Sequence, residues 1–470
     1  MVADVEATDR KAQPPLVIVS NRGPVSFARG SDGSVSARRG GGGFAATTAT
    51  LVADREVTWV AASMTGADRE MAAAGDYIDG AMRLRLIDLD PDLQQHFYGT
   101  VSNETLWFIH HGMFDLVREP GFDRQWRRAW DDYIGANEQF AAAVSELAPS
   151  GASVLVQDYH LSLVGGLLRD RRPDLRTVHF HHTPFCGPNS IRILPADVAT
   201  TLLSGLAASS ACGFHSQRWA NAFAACCEWV LGPDSAPPTF VAPLGPDPDD
   251  ICRVAASAAC AEAGRALDDV IGDCLVVART DRIEPSKNVV RGFQAFDELL
   301  ESYPQWRERA VFVASMYPSR SGLKAYERYR AEVDAAIDEI NGRWATAEWS
   351  PIVALIGDDF PRSVALLRRY DVLLVNPIKD GLNLVASEGP LVNDRHGVLA
   401  LSRDAGAFDL FDGAALEVHP YDIAGTADLL HAALSMPDGQ RRDHAAEVAR
   451  RARLRSPSAW LADQLSAENR

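Results

Sequence analysis

Short apolar runs alternate with longer amphipathic segments along most of the chain. The apolar runs lie at 16–19, 57–62, 106–110, 154–157, 177–180 and 211–214, and then at 273–278, 310–314, 352–356, 372–375, 397–402 and 416–418. Segments between several of them, for example 136–148 and 161–169, have a helical pattern. Because short buried strands that alternate with helices form parallel sheets, the pattern predicts an α/β protein with helices on both faces of each sheet.

A connector rich in proline and aspartate, at 237–250, divides the strands into two groups. A chain of 470 residues is too long for one core, and each group has the size of one doubly wound domain. We therefore expect two facing, doubly wound, Rossmann-like domains over 15–245 and 246–443, with a cleft between them. The polar segment 1–14 is predicted to be disordered, and residues 444–470 to form a helix that packs back on the first domain.

The charge balance limits the partners of the protein. Lysine and arginine number 46 against 63 aspartate and glutamate residues, and the net charge of -17 argues against binding to nucleic acid or acidic membranes. The sequence has no run of 18 apolar residues and no secretory leader, and its seven cysteines contain no CxxC motif. We therefore expect a cytoplasmic protein without disulfides or a membrane span, which leaves room for a local basic cleft.

Polar residues that suit ligands follow the strands of the first half directly. Arg22 follows the first strand, and Gly43 ends a glycine run before a helical segment, where backbone amides suit a phosphate. Asp158 follows the strand at 154–157, and it either caps the next helix or meets a ligand. His182 ends the next strand, and a sugar hydroxyl suits it better than zinc because no matching set of metal ligands lies at the right spacing.

Cations follow the first strands of the second half. Arg282 and Lys287 flank a proline turn that leads into a helix. Two cations beside the N-terminus of a helix suit an anion, such as the diphosphate of a nucleotide sugar. Arg320 lies in the loop after the next strand, where many arginines have no function.

The segment after the strand at 372–375 carries the strongest signal in the sequence. Asp380 precedes a glycine turn and can accept protons from sugar hydroxyls. The amides of 381–385 are expected at the N-terminus of the following helix, where they suit a phosphate. Glu388 lies about two turns inside that helix and suits a ribose diol.

Motifs along most of the chain occur in the order and spacing of one known family. They are Ser20-Asn21-Arg22, Gly42-Gly43, Tyr98 with Ser102-Asn103 and Leu106-Trp107, Asp158-Tyr159-His160-Leu161, His182-Thr183-Pro184-Phe185, Gly213-Phe214, Arg282 with Ser286-Lys287, Asp380-Gly381 with Asn383-Leu384-Val385-Ala386 and Glu388, and Val418 with Pro420-Tyr421-Asp422. Together they resemble the trehalose-6-phosphate synthases, retaining glycosyltransferases of the GT-B fold. The segment 279–287 resembles an actinobacterial-style branch of that family.

The resemblance implies transfer of glucose from a nucleoside diphosphate glucose to glucose 6-phosphate, giving α,α-trehalose 6-phosphate. It implies no metal, no cofactor and no covalent nucleophile, because cations and helix amides stabilise the leaving diphosphate. It assigns to the acceptor Arg22, Tyr98, Trp107, Asp158 and Arg320. It assigns to the donor Gly43, His182, Arg282, Lys287, Asp380, Gly381, Leu382, Asn383, Leu384, Val385 and Glu388. The catalytic set is Asp158, His182, Arg282, Lys287 and Asp380.

Departures from the family pattern leave the donor and the acceptor open. Small residues stand at 61–63, where the family has a tryptophan on the acceptor side, and Ser387 replaces a usual lysine. The donor is GDP-glucose or UDP-glucose. The alternatives are a pseudo-glycosyltransferase that joins a nucleotide-activated cyclitol to an aminocyclitol phosphate, and a sugar-phosphate sensor without turnover. The expected partners are the two substrates, and a homo-oligomer is left open.

Overall fold

The computed structural model describes residues 14–30, 32–39, 48, 51–52, 55–320 and 322–467. Gly43, expected at the donor site, lies outside these residues, as does nearly all of the segment 1–14 that was predicted to be disordered. The described residues form two large sheets of mainly parallel strands and one small hairpin. The predicted α/β class is confirmed.

The first half of the chain supplies the first sheet and the hairpin. The strands are β1 Leu16–Val19, β2 Val25–Arg29, β3 Val35–Arg39, β4 Val57–Ala62, β5 Tyr77–Asp79, β6 Met82–Ile87, β7 Ser153–Gln157, β8 Arg176–His181, β9 Ala211–Phe214 and β10 Thr239–Val241. The sheet has the order β10-β9-β8-β7-β1-β4-β6-β5 and is parallel except for β5 with β6, while β2 and β3 form the hairpin. Both β1 and β7 are buried along their whole length, as expected in a sheet covered on both faces.

The second half supplies a six-stranded sheet in which every pair is parallel. Its strands are β11 Leu275–Ile283, β12 Ala310–Pro318, β13 Ile352–Ile356, β14 Val372–Val375, β15 Val398–Ser402 and β16 Leu416–Val418, in the order β13-β12-β11-β14-β15-β16. The strand order switches sides between β11 and β14 here, and between β1 and β7 in the first sheet, because successive strands are added on one side up to that point and on the other side after it. Ligands of doubly wound sheets bind at such switch points, beyond the carboxyl ends of the strands.

Helices fill the connections between the strands. The α-helices are α1 Gly66–Ala74, α2 Pro91–Gln94, α3 Trp107–His111, α4 Arg124–Leu147, α5 Val164–Arg171, α6 Pro188–Ile191, α7 Ala196–Ala207, α8 Gln217–Leu231, α9 Pro248–Ala255, α10 Ala258–Ile271, α11 Val289–Ser302, α12 Lys324–Trp344, α13 Phe360–Arg369, α14 Val385–Val392, α15 Phe408–Phe411, α16 Ile423–Leu434, α17 Asp438–Ala452 and α18 Pro457–Ala467. Three 3₁₀ turns lie at Tyr159–Leu161, Pro285–Lys287 and Pro304–Trp306. No helix among the described residues has the length and apolar character needed to cross a membrane.

The strand predicted at 106–110 is wrong. A π-helix spans Gln95–Leu106, and α3 continues from it. The apolar run is buried on all sides, and a buried helix cannot be told from a buried strand by periodicity when the run is this short.

The C-terminal segment packs against the first sheet. The Trp460 ring of α18 is fully buried and lies 5.3 Å from the ring of Phe180 in β8. The backbone of Gly245, in the connector after β10, touches the backbone at Arg455, just before α18. The domain boundaries at 245 and 443 stay predictions.

Adding a methyl group at Gly245 is expected to destabilise the fold. A Cβ there would lie 2.0 Å from the carbonyl oxygen of Arg455, which is backbone and cannot rotate away. Overpacking of this kind costs about 1–3 kcal/mol of unfolding free energy, so Gly245→Ala should lower the melting temperature.

Gly264→Ala is the matched control, because a Cβ at Gly264 inside α10 has no neighbour within 4 Å. The control should be neutral or stabilising by up to about 1 kcal/mol. Thermal denaturation followed by circular dichroism measures both variants. Equal melting temperatures would contradict the close approach of the connector and the C-terminal segment.

Candidate active site

The switch points of both sheets carry the polar residues that the sequence indicates. In the first sheet Arg22 comes after β1 and Asp158 comes directly after β7. In the second sheet Arg282 lies at the end of β11, Lys287 in the next turn, and Asp380 in the loop after β14. The fold therefore places the predicted site residues at the two positions where ligands of such sheets bind.

A buried ion pair joins the loops that follow β11 and β14. The ammonium of Lys287 lies 2.6 Å from Oδ2 of Asp380 and 3.6 Å from Oδ1 of Asp281. Burial opposes the charge of Lys287, but the two aspartates outweigh it and raise the pKa of the ammonium. Burial also opposes the charge of Asp380, and Lys287 outweighs it and lowers the pKa of the carboxyl. Both groups are therefore charged at neutral pH.

Arg279, which the sequence analysis did not select, holds the turn that carries Lys287. Its guanidinium donates to the carbonyl oxygen of Lys287 and to Oδ1 of Asn376, each at 2.6 Å, and to Asp281 at 3.0 Å. The side chain is completely buried. An arginine inside an apolar strand is the signal that would have found it, because arginine is almost never buried without partners.

A second cluster of charges centres on Glu284, a buried carboxylate that the sequence analysis also missed. Its Oε1 lies 3.1 Å from Nη2 of Arg282, and its Oε2 lies 3.4 Å from Nη1 of Arg320. Burial opposes the charge of Glu284, but the two arginines outweigh it and lower the pKa of the carboxyl. One carboxylate shared by two guanidiniums leaves a net positive charge, and the side chain of Arg282 stays 41% exposed to a ligand.

The hydroxyl of Tyr98 lies beside arginines from both halves of the chain. Arg22 donates to it at 3.2 Å. Burial opposes ionisation of the phenol, but Arg22 and Arg320 outweigh it and lower the pKa of Tyr98. The guanidinium of Arg320 also lies 5.5 Å from the ring of Trp107. The structure thus brings four predicted acceptor residues together, and their two guanidiniums suit a phosphate.

The π-helix sets the relative position of Tyr98 and Trp107. In a π-helix the hydrogen bonds join residues i and i+5, so each turn contains almost one residue more than the 3.6 residues of an α-helical turn. About nine residues therefore complete two turns. Residues 98 and 107 are nine positions apart and share one face of this helix. The amide of Trp107 donates to the carbonyl of Ser102, and Nδ2 of Asn103 donates to the carbonyl of Tyr98 at 2.7 Å. An α-helix would place the two rings on opposite faces.

Asn103 and Tyr159 connect the π-helix to Arg320. The hydroxyl of Tyr159 donates to Oδ1 of Asn103 at 2.7 Å and accepts from Nη2 of Arg320 at 3.4 Å. Both side chains are buried. Both residues lie within family motifs, but the sequence predicts no role for them, because their bonds depend on contacts that sequence spacing does not reveal.

Asp158 does not cap a helix, so that interpretation is wrong. Its side chain makes no capping bond, and Oδ1 accepts the amides of His182 at 3.1 Å and Thr183 at 3.4 Å. Burial dominates and raises the pKa of Asp158 from 3.8 to about 6. Its backbone is left-handed, with φ of 70°. A strained residue with a raised pKa is typical of a functional site.

Gly381 lies against the backbone of His182, which comes from the other sheet. A Cβ at Gly381 would lie 1.8 Å from the carbonyl oxygen of His182, so no other residue fits there. The carbonyl of Gly381 accepts the indole N–H of Trp219 at 3.1 Å. This close approach brings the loop that contains Asp380 next to the loop at His182 and Thr183, whose amides donate to Asp158.

The helix after the glycine turn begins later than expected. It is α14, which begins at Val385. The amide of Leu382 donates to Oδ1 of Asp380 at 3.3 Å, and Asn383 is left-handed with φ of 78°. The prediction that all the amides of 381–385 lie at the helix N-terminus is therefore wrong, because the turn uses local bonds and a reversed backbone before the helix begins.

Glu388 stands apart from the charged clusters. It lies in α14, and its carboxylate has no hydrogen bond from the residues that the structure describes. Burial, with a smaller contribution from Asp250, raises the pKa of Glu388 from 4.5 to about 7. Its role toward a ribose stays a prediction.

Neutral histidines surround the site. His110, His179 and His181 are buried, and burial lowers the pKa of each, to about 3 for His110 and His179. Across the described ranges, no three or more His, Cys, Asp or Glu side chains are grouped in a way that would hold a metal ion.

Asp158→Asn is expected to stabilise the fold most at neutral pH. The folded protein binds a proton at Asp158 with a pKa of about 6 against 3.8 ordinarily, so ionisation above pH 6 destabilises it. Asparagine has no charge, so the gain in melting temperature should be full above pH 6 and vanish as the pH falls toward 4. Calorimetry of both proteins measures this gain, and a gain independent of pH would contradict a buried, ionised Asp158.

Comparison with curated proteins points to one family. The family model described as glycosyltransferase family 20 matches residues 14–469. A bifunctional trehalose-6-phosphate synthase/phosphatase from Thermoproteus tenax is 31% identical over 95% of this chain, which spans 62% of that relative's length. A trehalose-6-phosphate synthase from Mycobacterium avium is 30% identical over 91% of this chain and 90% of its own.

Solved structures agree with this result. An E. coli trehalose-6-phosphate protein bound with UDP-2-fluoro glucose is 27% identical and has a TM-score of 0.84, covering 96% of this chain and 99% of that one. A UDP-forming alpha,alpha-trehalose-phosphate synthase from Burkholderia xenovorans in complex with glucose-6-phosphate is 26% identical with a TM-score of 0.83, covering 97% and 100%. The predicted family and its two-domain fold are confirmed: the chain belongs to glycosyltransferase family 20.

Proposed function

We propose that the protein transfers glucose from a nucleoside diphosphate glucose to glucose 6-phosphate and forms α,α-trehalose 6-phosphate with retention. The observation that carries the proposal is the pair of cationic groups at the switch points. Arg22 and Arg320 meet around Tyr98, while Arg282 and Lys287 lie at the end of β11. A donor with a diphosphate and an acceptor with a phosphate need two such groups.

On the donor side, Lys287 and Arg282 are proposed to bind the diphosphate. Each cation is held by a carboxylate, Lys287 by Asp380 and Arg282 by Glu284. Preorganised cations stabilise the charge that develops on the leaving group without further reorganisation. Gly43 would join these cations at the diphosphate. His182, Asp380 and the amides after Gly381, at Leu382 and Asn383, would hold the transferred hexose, and Leu384, Val385 and Glu388 would bind the nucleoside side.

On the acceptor side, Arg22 and Arg320 are proposed to bind the phosphate, with the hydroxyl of Tyr98 between them. Trp107 would contribute to this site through Arg320, because its ring is buried and lies 5.5 Å from that guanidinium. With a pKa of about 6, Asp158 is mainly ionised at neutral pH and suits a sugar hydroxyl as a hydrogen-bond acceptor.

The reaction proposed is a substitution on one face of the donor sugar. The anomeric hydroxyl oxygen of the acceptor bonds to the anomeric carbon of the donor, and the bond from that carbon to the diphosphate oxygen breaks. The proton of the hydroxyl passes to the leaving diphosphate. Asp158 and His182 orient the sugars, while Arg282 and Lys287 stabilise the departing charge.

The nucleotide is proposed to be UDP or GDP. Relatives from Dictyostelium discoideum and Schizosaccharomyces pombe are named as UDP-forming synthases, and the E. coli structure holds a UDP sugar. These names support UDP-glucose. The resemblance of the segment 279–287 to an actinobacterial-style branch of the family supports GDP-glucose, which that branch can use in place of UDP-glucose.

A donor panel tests the proposed reaction. UDP-, GDP-, ADP- and TDP-glucose are each supplied with glucose 6-phosphate, and the products are analysed by mass spectrometry. We expect a phosphorylated disaccharide with UDP-glucose or GDP-glucose. Proton NMR of the dephosphorylated product should show the symmetric α,α linkage. No disaccharide with any of the four donors would overturn the proposal.

Removing either donor-side cation should slow catalysis strongly. Arg282→Ala and Lys287→Ala each remove one charge from the leaving group, so we expect kcat to fall by about 10²–10³-fold. Arg330→Ala is the matched control, because Arg330 pairs with Asp334 on the same helix, α12, away from the charged clusters. Steady-state kinetics with melting curves measure the three variants, and near-parental kcat for both site variants would contradict the diphosphate assignment.

A further inference from the structure

A chain of hydrogen bonds runs from the C-terminal helix to the ring of His182. Oε1 of Gln464 in α18 accepts from Nε2 of Gln157 at 3.0 Å. Oε1 of Gln157 lies 2.9 Å from Nε2 of His182, and Nδ1 of His182 lies 3.2 Å from Nε2 of His215. The amide of Leu244 then donates to Nδ1 of His215 at 3.3 Å.

The last bond sets the direction of the whole chain. The carbonyl of Ala242 also lies near this ring, but the amide of Leu244 points at Nδ1 itself. Because a backbone amide only donates, Nδ1 of His215 accepts and the ring proton of His215 lies on Nε2. His215 therefore donates to Nδ1 of His182. The neutral ring of His182 then carries its proton on Nε2 and donates it to Gln157, whose amide group donates to Gln464.

We propose that Gln157, Gln464 and His215 are positioning residues that hold His182 as the neutral tautomer with its proton on Nε2. The proposal rests on the proposed glucosyl transfer, in which His182 lies at the transferred hexose. It extends the site to the C-terminal helix, whose Trp460 ring also lies 5.8 Å from the ring of His182.

Burial makes the chain selective for one arrangement of protons. Gln464 is completely buried, and Gln157 and His215 are nearly so. Water therefore cannot replace a lost partner at low cost. A proton added at Nδ1 of His182 would face the N–H of His215, so the chain opposes formation of the imidazolium.

A neutral His182 fits the chemistry proposed for the site. Positive charge develops on the anomeric carbon as a glycosidic bond breaks, and a cationic ring nearby would oppose it. The titratable groups around His182 are Asp158, which binds its amide, His179, His181 and His215. Asp380 lies across the cleft, next to Gly381, which touches the carbonyl of His182.

Two substitutions of His215 test the chain. His215→Asn can still accept the amide of Leu244 but is too short to donate to His182, whereas His215→Gln carries an N–H where Nε2 was. We expect His215→Asn to let His182 protonate, so that its kcat relative to the parent falls by about tenfold between pH 8 and pH 6. His215→Gln should keep the parental pH profile.

The far end of the chain supplies a second pair. Gln464→Leu removes the acceptor of Gln157, while Gln464→Glu keeps an oxygen in that place. Gln464→Leu should lower kcat by about tenfold with an unchanged KM for glucose 6-phosphate, and Gln464→Glu should restore most of the loss. Equal losses in both variants with lowered melting temperatures would show a packing role only and overturn the proposal.

A readout without turnover separates this proposal from the proposed reaction. In protein labelled with ¹⁵N-histidine, the signals of His182 are assigned by their loss in His182→Asn. They should show the Nε2–H tautomer in the parent and in His215→Gln, and a mixture or the imidazolium in His215→Asn. An Nδ1–H signal of His182 in the parent would overturn the proposed direction of the hydrogen bonds, whether or not the parent forms a disaccharide.

Discussion

The ion pair between Lys287 and Asp380 is the contact on which the site depends. It joins the loops after β11 and β14, the two neighbouring strands that form the switch point of the second sheet. Neither charge is stable there alone, because burial opposes both, and loss of one partner would leave the other charge buried without compensation. Arg279 donates a hydrogen bond to the backbone carbonyl of Lys287 and so fixes the turn that carries the ammonium.

The position of Asp380 also determines how the two sheets meet. The next residue, Gly381, touches the backbone of His182 so closely that a single methyl group would separate them. Arg320 reaches across in the opposite direction to the hydroxyl of Tyr159. The candidate site is thus built from both halves of the chain at once.

The sequence predicted what depends on strand ends and missed what depends on contacts between distant segments. The short apolar runs predict the two sheets. Arg282, Lys287 and Asp380 are predicted as site residues because they are charged and follow those strands closely. The sequence did not predict roles for the buried residues Arg279 and Gln464, because their hydrogen-bond partners lie on other elements of the fold. The sequence predicts a strand at 106–110, where the structure has the end of the π-helix and α3, because this short apolar run is buried on all sides and shows no helical periodicity.

The central proposal is that Arg282 at the end of β11 and Lys287 in the turn after it bind the donor diphosphate while carboxylates hold both cations in place. A crystal structure with a bound nucleoside diphosphate tests it most directly. We expect diphosphate oxygens about 3 Å from Nζ of Lys287 and from the guanidinium of Arg282. A diphosphate bound elsewhere, with Lys287 still held only by Asp380 and Asp281, would contradict the account.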